Sequence, residues 1–386
     1  MLLMLCLCIS SASCVSDSHT VDHFPIYETD FKTYRDSVRA YLLNHAMPSR
    51  SEADTELNLP FELTANPEVA YKGQFLLLHG LNDSAYVWRD YAIELTALGF
   101  DVRAILFDGH GSSPEEMLHV KWQSWMSKAR NHLKQMQAAG TEIYLGGFSM
   151  GAVIATWLAL DNPSIAGLFL VSPAYDSKLN HYLRWSGLYA RFKPWLFGGM
   201  ILEDNPIKYN SIPINSGWQY YQLTRGLKRR WKRSDRIEMP ALMVMSGDDS
   251  VVDVAYTKNL FRSRFTSDRR LLVTYVDGGK SSEGSTPHTN AGFEKIRSSR
   301  FMPLRILNQS HQGLMFSSEN DLFGKQAKVL VCNGNRYPVF MACMRSSQHW
   351  YGAQHTLSPD GVAVARTTYN PDWHAVTQQI EEVFLH

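Results

Sequence analysis

A serine hydroxyl is a weak nucleophile near neutral pH. It needs a base to take its proton, an acid to orient that base, and N–H donors to hold the oxyanion. Ser149 stands in the run Gly147-Phe148-Ser149-Met150-Gly151. The apolar stretch 142–146 before it reads as a short buried strand, and 152–160 after it reads as a helix apolar nearly all round. A serine between two glycines at a strand-to-helix turn is the pattern of an exposed nucleophile, because so tight a turn tolerates only glycine at its flanks. The five-residue pattern is short, and a glycine-rich turn that merely contains serine would look the same. Its strand and helix context favours the nucleophile.

Where a serine sits on such a turn, the acid and then the histidine follow along the chain. The apolar run 241–245 is followed by Asp248, Asp249 and, a little later, Asp253. Asp249, directly before Ser250-Val251-Val252, is the expected acid and Asp248 the second choice; Asp253 reads as the cap of the next helix. His311 lies in a polar turn after the apolar run 304–307 and is the expected base, with His288 and His374 as the remaining candidates. The oxyanion donors are expected to be the N–H of Met150 and that of Leu81, in Leu78-His79-Gly80-Leu81-Asn82-Asp83. His79 and the loop Asp108-Gly109-His110-Gly111-Ser112 are expected to shape the site and not to supply a base.

The elements that must position these residues alternate. Strand-like runs at 74–79, 101–107, 142–146, 165–171, 241–245 and 271–276 are separated by helical patterns at 86–98, 121–139 and after Ser149. Such alternation implies parallel pairing with crossover helices on both faces. It halts between residues 173 and 239, a stretch rich in aromatic residues, and resumes at 241. Residues 29–45 carry apolar residues at helical spacing, 304–308 look like a further strand, 329–343 like an added hairpin, and 373–384 like a closing helix.

These residues carry a resemblance. His79-Gly80-Leu81, Asp108-Gly109-His110-Gly111, the Ser149 run, Gly247-Asp248-Asp249-Ser250-Val251-Val252 and Ser310-His311, in that order, resemble the α/β-hydrolases, and within them the monoacylglycerol lipase and lysophospholipase branch. The resemblance covers roughly residues 70–315. It implies an α/β fold with a mostly parallel central sheet, helices on both faces and an inserted helical cap. It also implies an ester-cleaving activity with no metal and no organic cofactor. The expected organisation is a signal peptide at 1–14, a linker and helix at 15–70, the core at 71–174 and 240–386, and the cap at 175–239. Extra segments near 277–300 and 318–368 depart from the family pattern and flank the expected site.

Bulk properties add limits. With 386 residues, 45% hydrophobic and 19% charged, the chain is an ordinary globular protein, and its net charge of +1 gives no global pull towards nucleic acid or membrane. Locally, residues 178–240 hold twelve Lys or Arg against four Asp or Glu. That surplus could face anionic headgroups, or be a solvated helix face balanced by acids elsewhere; no nucleic-acid motif accompanies it. The apolar run 1–9 followed by Ser10-Ser11-Ala12-Ser13-Cys14 has the length of a secretory signal and predicts export. The small residues before Cys14 resemble a bacterial lipoprotein processing site, which would tether the protein to the envelope membrane through a lipidated Cys14; cleavage by an ordinary signal peptidase would leave it periplasmic. Beyond residue 14 only Cys332 and Cys343 remain, a pair that in an oxidising compartment is more naturally a disulfide than two reactive thiols, with two buried, unlinked cysteines as the near alternative. The leading reading is a serine hydrolase of small-molecule or lipid esters, with monoacylglycerols or lysophospholipids as the suggested class. A peptidase, thioesterase or acyltransferase would use the same machinery, and a non-catalytic envelope binding protein is the alternative from another class.

Overall fold

The computed structural model describes residues 24–25, 30–47, 49–196, 205–209, 213–233, 235–277, 292–332 and 337–386. The expected signal segment with Cys14, the candidate base His288 and residues 333–336 of the expected hairpin lie outside these residues.

The chain opens with α1 (Phe31–His45), capped by the Asp30 side chain accepting from the Thr33 N–H. Its apolar stripe of Phe31, Tyr34, Val38, Tyr41 and Leu42 is buried, each such side chain being worth about 2 kcal/mol when taken out of water. A second short helix, α2 (Glu52–Asn58), begins in a capping box between Ser51 and Asp54. Strand β1 (Phe61–Leu63) leads into the alternating part: β2 (Gly73–Leu78), α3 (Arg89–Ala97), β3 (Phe100–Ala104), α4 (Trp122–Gln137), β4 (Ile143–Phe148), α5 (Met150–Asp161) and β5 (Gly167–Val171). Two helices, α6 (Asn180–Tyr189) and α7 (Ile214–Trp231), occupy the stretch where alternation halts. It resumes with β6 (Ala241–Ser246), α8 (Val254–Arg264), β7 (Arg270–Val276) and β8 (Glu294–Ser298). The remainder holds α9 (Tyr337–Arg345), β9 (Trp350–Gly352), β10 (Val364–Arg366) and the closing α10 (Trp373–Leu385).

Eight strands form one sheet in the order β1-β3-β2-β4-β5-β6-β7-β8. Only β1 runs antiparallel to its neighbour. The central strands β4, β5 and β6 are buried along their whole length, as a sheet covered on both faces requires. One face packs on α4, α5, α7 and α8 through residues such as Trp125, Ile154, Leu223 and Phe261. The other packs on α3 and α10 through Tyr91, Leu95, Val376 and Ile380. This is the α/β-hydrolase fold.

Three expectations need correction. Residues 304–308 form no strand. A 3-10 turn at Met302–Leu304 ends in Arg305, whose φ of 55° is left-handed, and Ile306 makes only single bridges to Phe301 and Tyr351. The chain there has left the sheet, whose last edge is already taken by β8. That strand lies in the segment near 277–300 expected to be an insertion, and Glu294-Lys295-Ile296-Arg297-Ser298 has the half-polar pattern of an exposed edge. The expected hairpin at 329–343 is also absent: its second half belongs to the helix α9, and the strand partners lie further on, β9 against β10. Cys332 and Cys343 are nonetheless joined, with Sγ–Sγ at 1.99 Å.

Candidate active site

The turn between β4 and α5 explains its own sequence. Ser149 adopts φ 54° and ψ −115°, a conformation side-chain-bearing residues seldom hold. A Cβ on Gly147 would lie 2.3 Å from Ala152 Cα, and one on Gly151 2.0 Å from the Leu78 carbonyl oxygen. Both positions therefore exclude any side chain, and the serine is driven outward at the carboxyl end of the sheet. The parallel register that sets Leu78 beside Gly147 brings the end of β2 to the same spot.

Three side chains from distant parts of the chain meet here. Ser149 Oγ lies 2.9 Å from His311 Nε2, and His311 Nδ1 lies 2.6 Å from Asp249 Oδ2. Asp249 follows β6 and is wholly buried. Its other oxygen accepts the N–H groups of Val251 (2.8 Å) and Val252 (3.2 Å). Burial alone would push this carboxyl up, but the His311 ring and the two N–H donors outweigh it and hold the group below the usual carboxylate range. With Asp249 ionised, the His311 Nδ1–H donates to it, leaving Nε2 to accept the Ser149 hydroxyl.

The other candidates are engaged elsewhere. The Asp248 carboxylate accepts from Ser299 Oγ at 3.4 Å, and Asp253 caps α8 by accepting the Tyr256 N–H. His374 pairs with Gln378 on α10. His79 accepts the Phe107 N–H at Nε2, so its Nδ1–H donates to the Gly80 carbonyl; burial and the neighbouring His110 push its pKa down and keep it neutral. Burial likewise brings His110 to about 4 while its Nδ1 bonds the Asp108 carbonyl. Both rings shape loops. Asp108 itself pairs at 2.7 Å with Lys128, whose ammonium is fully buried and also donates to the Pro25 carbonyl.

Leu81 lies in the loop after β2, and that loop touches the serine: a Cβ on Gly80 would be 3.1 Å from Ser149 Cβ. Among the described residues, the N–H groups of Leu81 and Met150 donate to no other protein group, which leaves both available to a ligand oxygen.

Several positioning contacts were not foreseen. Lys208, from the stretch between α6 and α7, pairs at 2.7 Å with the buried Asp83 of the Leu81 loop. Arg50 and Asn58 hold that same stretch through the Pro206 carbonyl. The His311 loop is tied down from three directions. Ser172 Oγ donates to the His311 carbonyl (2.9 Å), Ser246 Oγ to that of Gln309 (2.7 Å), and Ser310 Oγ to that of Thr367 (2.7 Å). Thr367 Oγ1 returns a bond to the Asn308 carbonyl at 2.6 Å. Ordinary serines and threonines give no local sign of such roles.

The charge surplus of the cap divides in two. Lys228 pairs with Asp176, and Arg230 with Asp161 and Asp235, so two of the four cations on α7 are met by acids. Its aromatics divide as well: Tyr209, Tyr220 and Trp231 are core, whereas Tyr182, Trp185 and Tyr189 on α6 are exposed.

Residues 70–277 match the family model described as serine aminopeptidase, S33. The chain is 24% identical over 201 residues to the thermostable monoacylglycerol lipase of Bacillus sp. (strain H-257), covering 51% of this chain and 78% of that protein. It is 23% identical over 208 residues to a carboxylesterase of Bacillus subtilis (strain 168), covering 53% and 82%. Among solved structures, the monoacylglycerol lipase of Paleococcus ferrophilus superposes over 56% of this chain and 88% of its own with 20% identity and a TM-score of 0.45. The sheet order and the family match over more than half of the chain lead to one conclusion: this protein is an α/β-hydrolase belonging to the serine aminopeptidase S33 family, and it is similar to a monoacylglycerol lipase and a carboxylesterase of Bacillus.

Proposed function

We propose that the protein is a serine hydrolase of carboxylic esters, working through an acyl-enzyme, with monoacylglycerols or lysophospholipids as the substrate class. One observation carries this reading: the unbroken hydrogen-bonded line from Ser149 Oγ through His311 to the buried, ionised Asp249. Ser149 attacks the ester carbonyl as His311 Nε2 takes its proton, and Asp249 stabilises the imidazolium. The tetrahedral oxyanion is held by the Leu81 and Met150 N–H groups, each worth about 3 kcal/mol of transition-state stabilisation. His311 then returns the proton to the leaving alcohol, and a water activated by the same ring clears the acyl group. Lipid esters are favoured by the monoacylglycerol lipase among the Bacillus relatives, and ester cleavage in general by the carboxylesterase.

Covalent labelling by a fluorophosphonate tests the chemistry: wild type is labelled and Ser149→Ala is not. Absence of labelling from wild type overturns it in favour of a binding protein, and labelling that persists in Ser149→Ala overturns it by placing the nucleophile elsewhere. An ester panel graded by acyl length tests the substrate class, and activity confined to short acyl chains removes the lipid reading. The family's description as serine aminopeptidases supports a second reading, cleavage of an N-terminal peptide bond. Turnover of aminoacyl anilides exceeding that of esters would select it.

A further inference from the structure

Helix α6 is amphipathic in an unusual sense: its outward face is the apolar one. Its inner side packs on α7, where Gly187 lies against the Trp218 ring, Leu183 against Gly217, and Ser186 is buried. The outer side carries Tyr182 (72% exposed), Trp185, Leu188 and Tyr189, and the turn that follows continues the stripe with Phe192 (82% exposed). These positions recur at helical spacing and form one contiguous face. Monomeric proteins seldom leave a patch of several large apolar side chains to water without a use for it.

Charge narrows the occupant. Residues 177–202 contain no Asp or Glu. Arg184, Arg191 and Lys193 are exposed beside the stripe, and among the described residues none of them sits in an ion pair. This differs from the α7 cluster, whose Lys228 and Arg230 are matched by acids. A second copy docking face to face would bring these cations against their own equivalents. Tryptophan and tyrosine interleaved with arginine and lysine suit a lipid–water boundary, where rings sit at headgroup level and cations meet phosphates. The face also adjoins the site. Ser177, just before α6, bridges to Val252, and Lys178 Nζ donates to the Asp249 carbonyl at 2.5 Å.

We propose that the exposed face of α6 docks the protein on an anionic phospholipid surface, with the mouth of the Ser149 site at its edge. The surface binding itself does not depend on which ester is cleaved, so its test is independent of the proposed activity.

The experiment is cosedimentation of the full chain with vesicles of phosphatidylglycerol and, separately, phosphatidylcholine. Wild type should bind phosphatidylglycerol more tightly, and added salt should weaken that binding. Trp185→Ser/Phe192→Ser should lower binding to phosphatidylglycerol about tenfold or more. Arg191→Gln/Lys193→Gln should remove most of the preference over phosphatidylcholine, again about tenfold. Unchanged thermal midpoints of both variants show that the fold is kept. Equal binding of wild type and both variants would overturn the proposal, because the apolar residues 1–9 would then carry the attachment. So would an absence of vesicle binding by wild type, or a dimer of wild type that Trp185→Ser/Phe192→Ser converts to monomer.

Discussion

The cap and the segment after His311 are the two long interruptions of the alternating core, and they dispose of their apolar side chains in opposite ways. After His311, Leu314, Met315, Phe316 and Phe323 are fully buried, Phe316 stacks on Phe323 at 4.5 Å, and the Cys332–Cys343 bridge closes a small cluster with Phe340 and Ala365. Helix α6 leaves comparable rings in water. The difference is one of role. Buried apolar surface stabilises the segment as a permanent scaffold, and through Thr367 it holds the loop that carries His311. Exposed apolar surface gains nothing inside the molecule and points to something outside it.

The comparison can be broken at several strengths. Because the proposed reaction runs through Ser149, His311 and Asp249, the largest effect should come from that line: His311→Ala and Asp249→Asn should each reduce ester turnover by about 10^4-fold, measured at saturating substrate. A smaller effect should come from the scaffold's closure. Cys332→Ser/Cys343→Ser should cost about 2–3 kcal/mol in denaturant unfolding, with Ser149 labelling slowed in the folded variant. If stability and labelling are both unchanged, the segment is not a scaffold.

Acid should loosen the core where α4 packs on α1 and on the loop after β3. His110 and His132 are buried and lowered to about 4 and about 3, so the folded state binds fewer protons than the unfolded one below the ordinary histidine value. Stability is therefore intact above about 6.5 and lost as pH falls towards about 4, by up to about 3 kcal/mol per ring. Denaturant midpoints across that range check the sign. The Lys208–Asp83 pair ties the cap to the loop that carries Leu81. Lys208→Met should lower kcat about tenfold with little change in KM, by releasing the Leu81 loop, about 1.4 kcal/mol of transition-state stabilisation. The smallest effect belongs to the α6 face: Trp185→Ser/Phe192→Ser should leave folding stability within about 0.5 kcal/mol, since nothing inside the molecule depends on those rings.

Much of this was legible because it is local. The α1 stripe, the capping aspartate at 253, and the glycines around Ser149 each obey a rule confined to a few residues. The helix read at 86–98 was legible too, although its first turn is 3-10 at Ala85–Trp88. The edge strand β8 was not: edge strands lack a buried face on one side, so their apolar periodicity is weak. Nor was the region from 304 to 366, where short strands and turns follow long-range hydrogen bonds, such as Leu307 N–H to the Tyr351 carbonyl, that leave no pattern in the chain.

Taken alone, the amino-acid order determined the alternating sheet, the strained serine turn and the list of groups able to hand a proton along. Those follow from side-chain period and backbone sterics, which act over a few positions. Folding in three dimensions decided which aspartate faces the imidazole, since Asp248 and Asp249 are neighbours and differ only in direction. It also decided that Lys208 reaches the Leu81 loop, that Thr367 holds the His311 loop, and that one cap helix keeps its aromatics outside. Such choices depend on contacts between residues far apart along the chain, and only the packed molecule brings them within bonding distance.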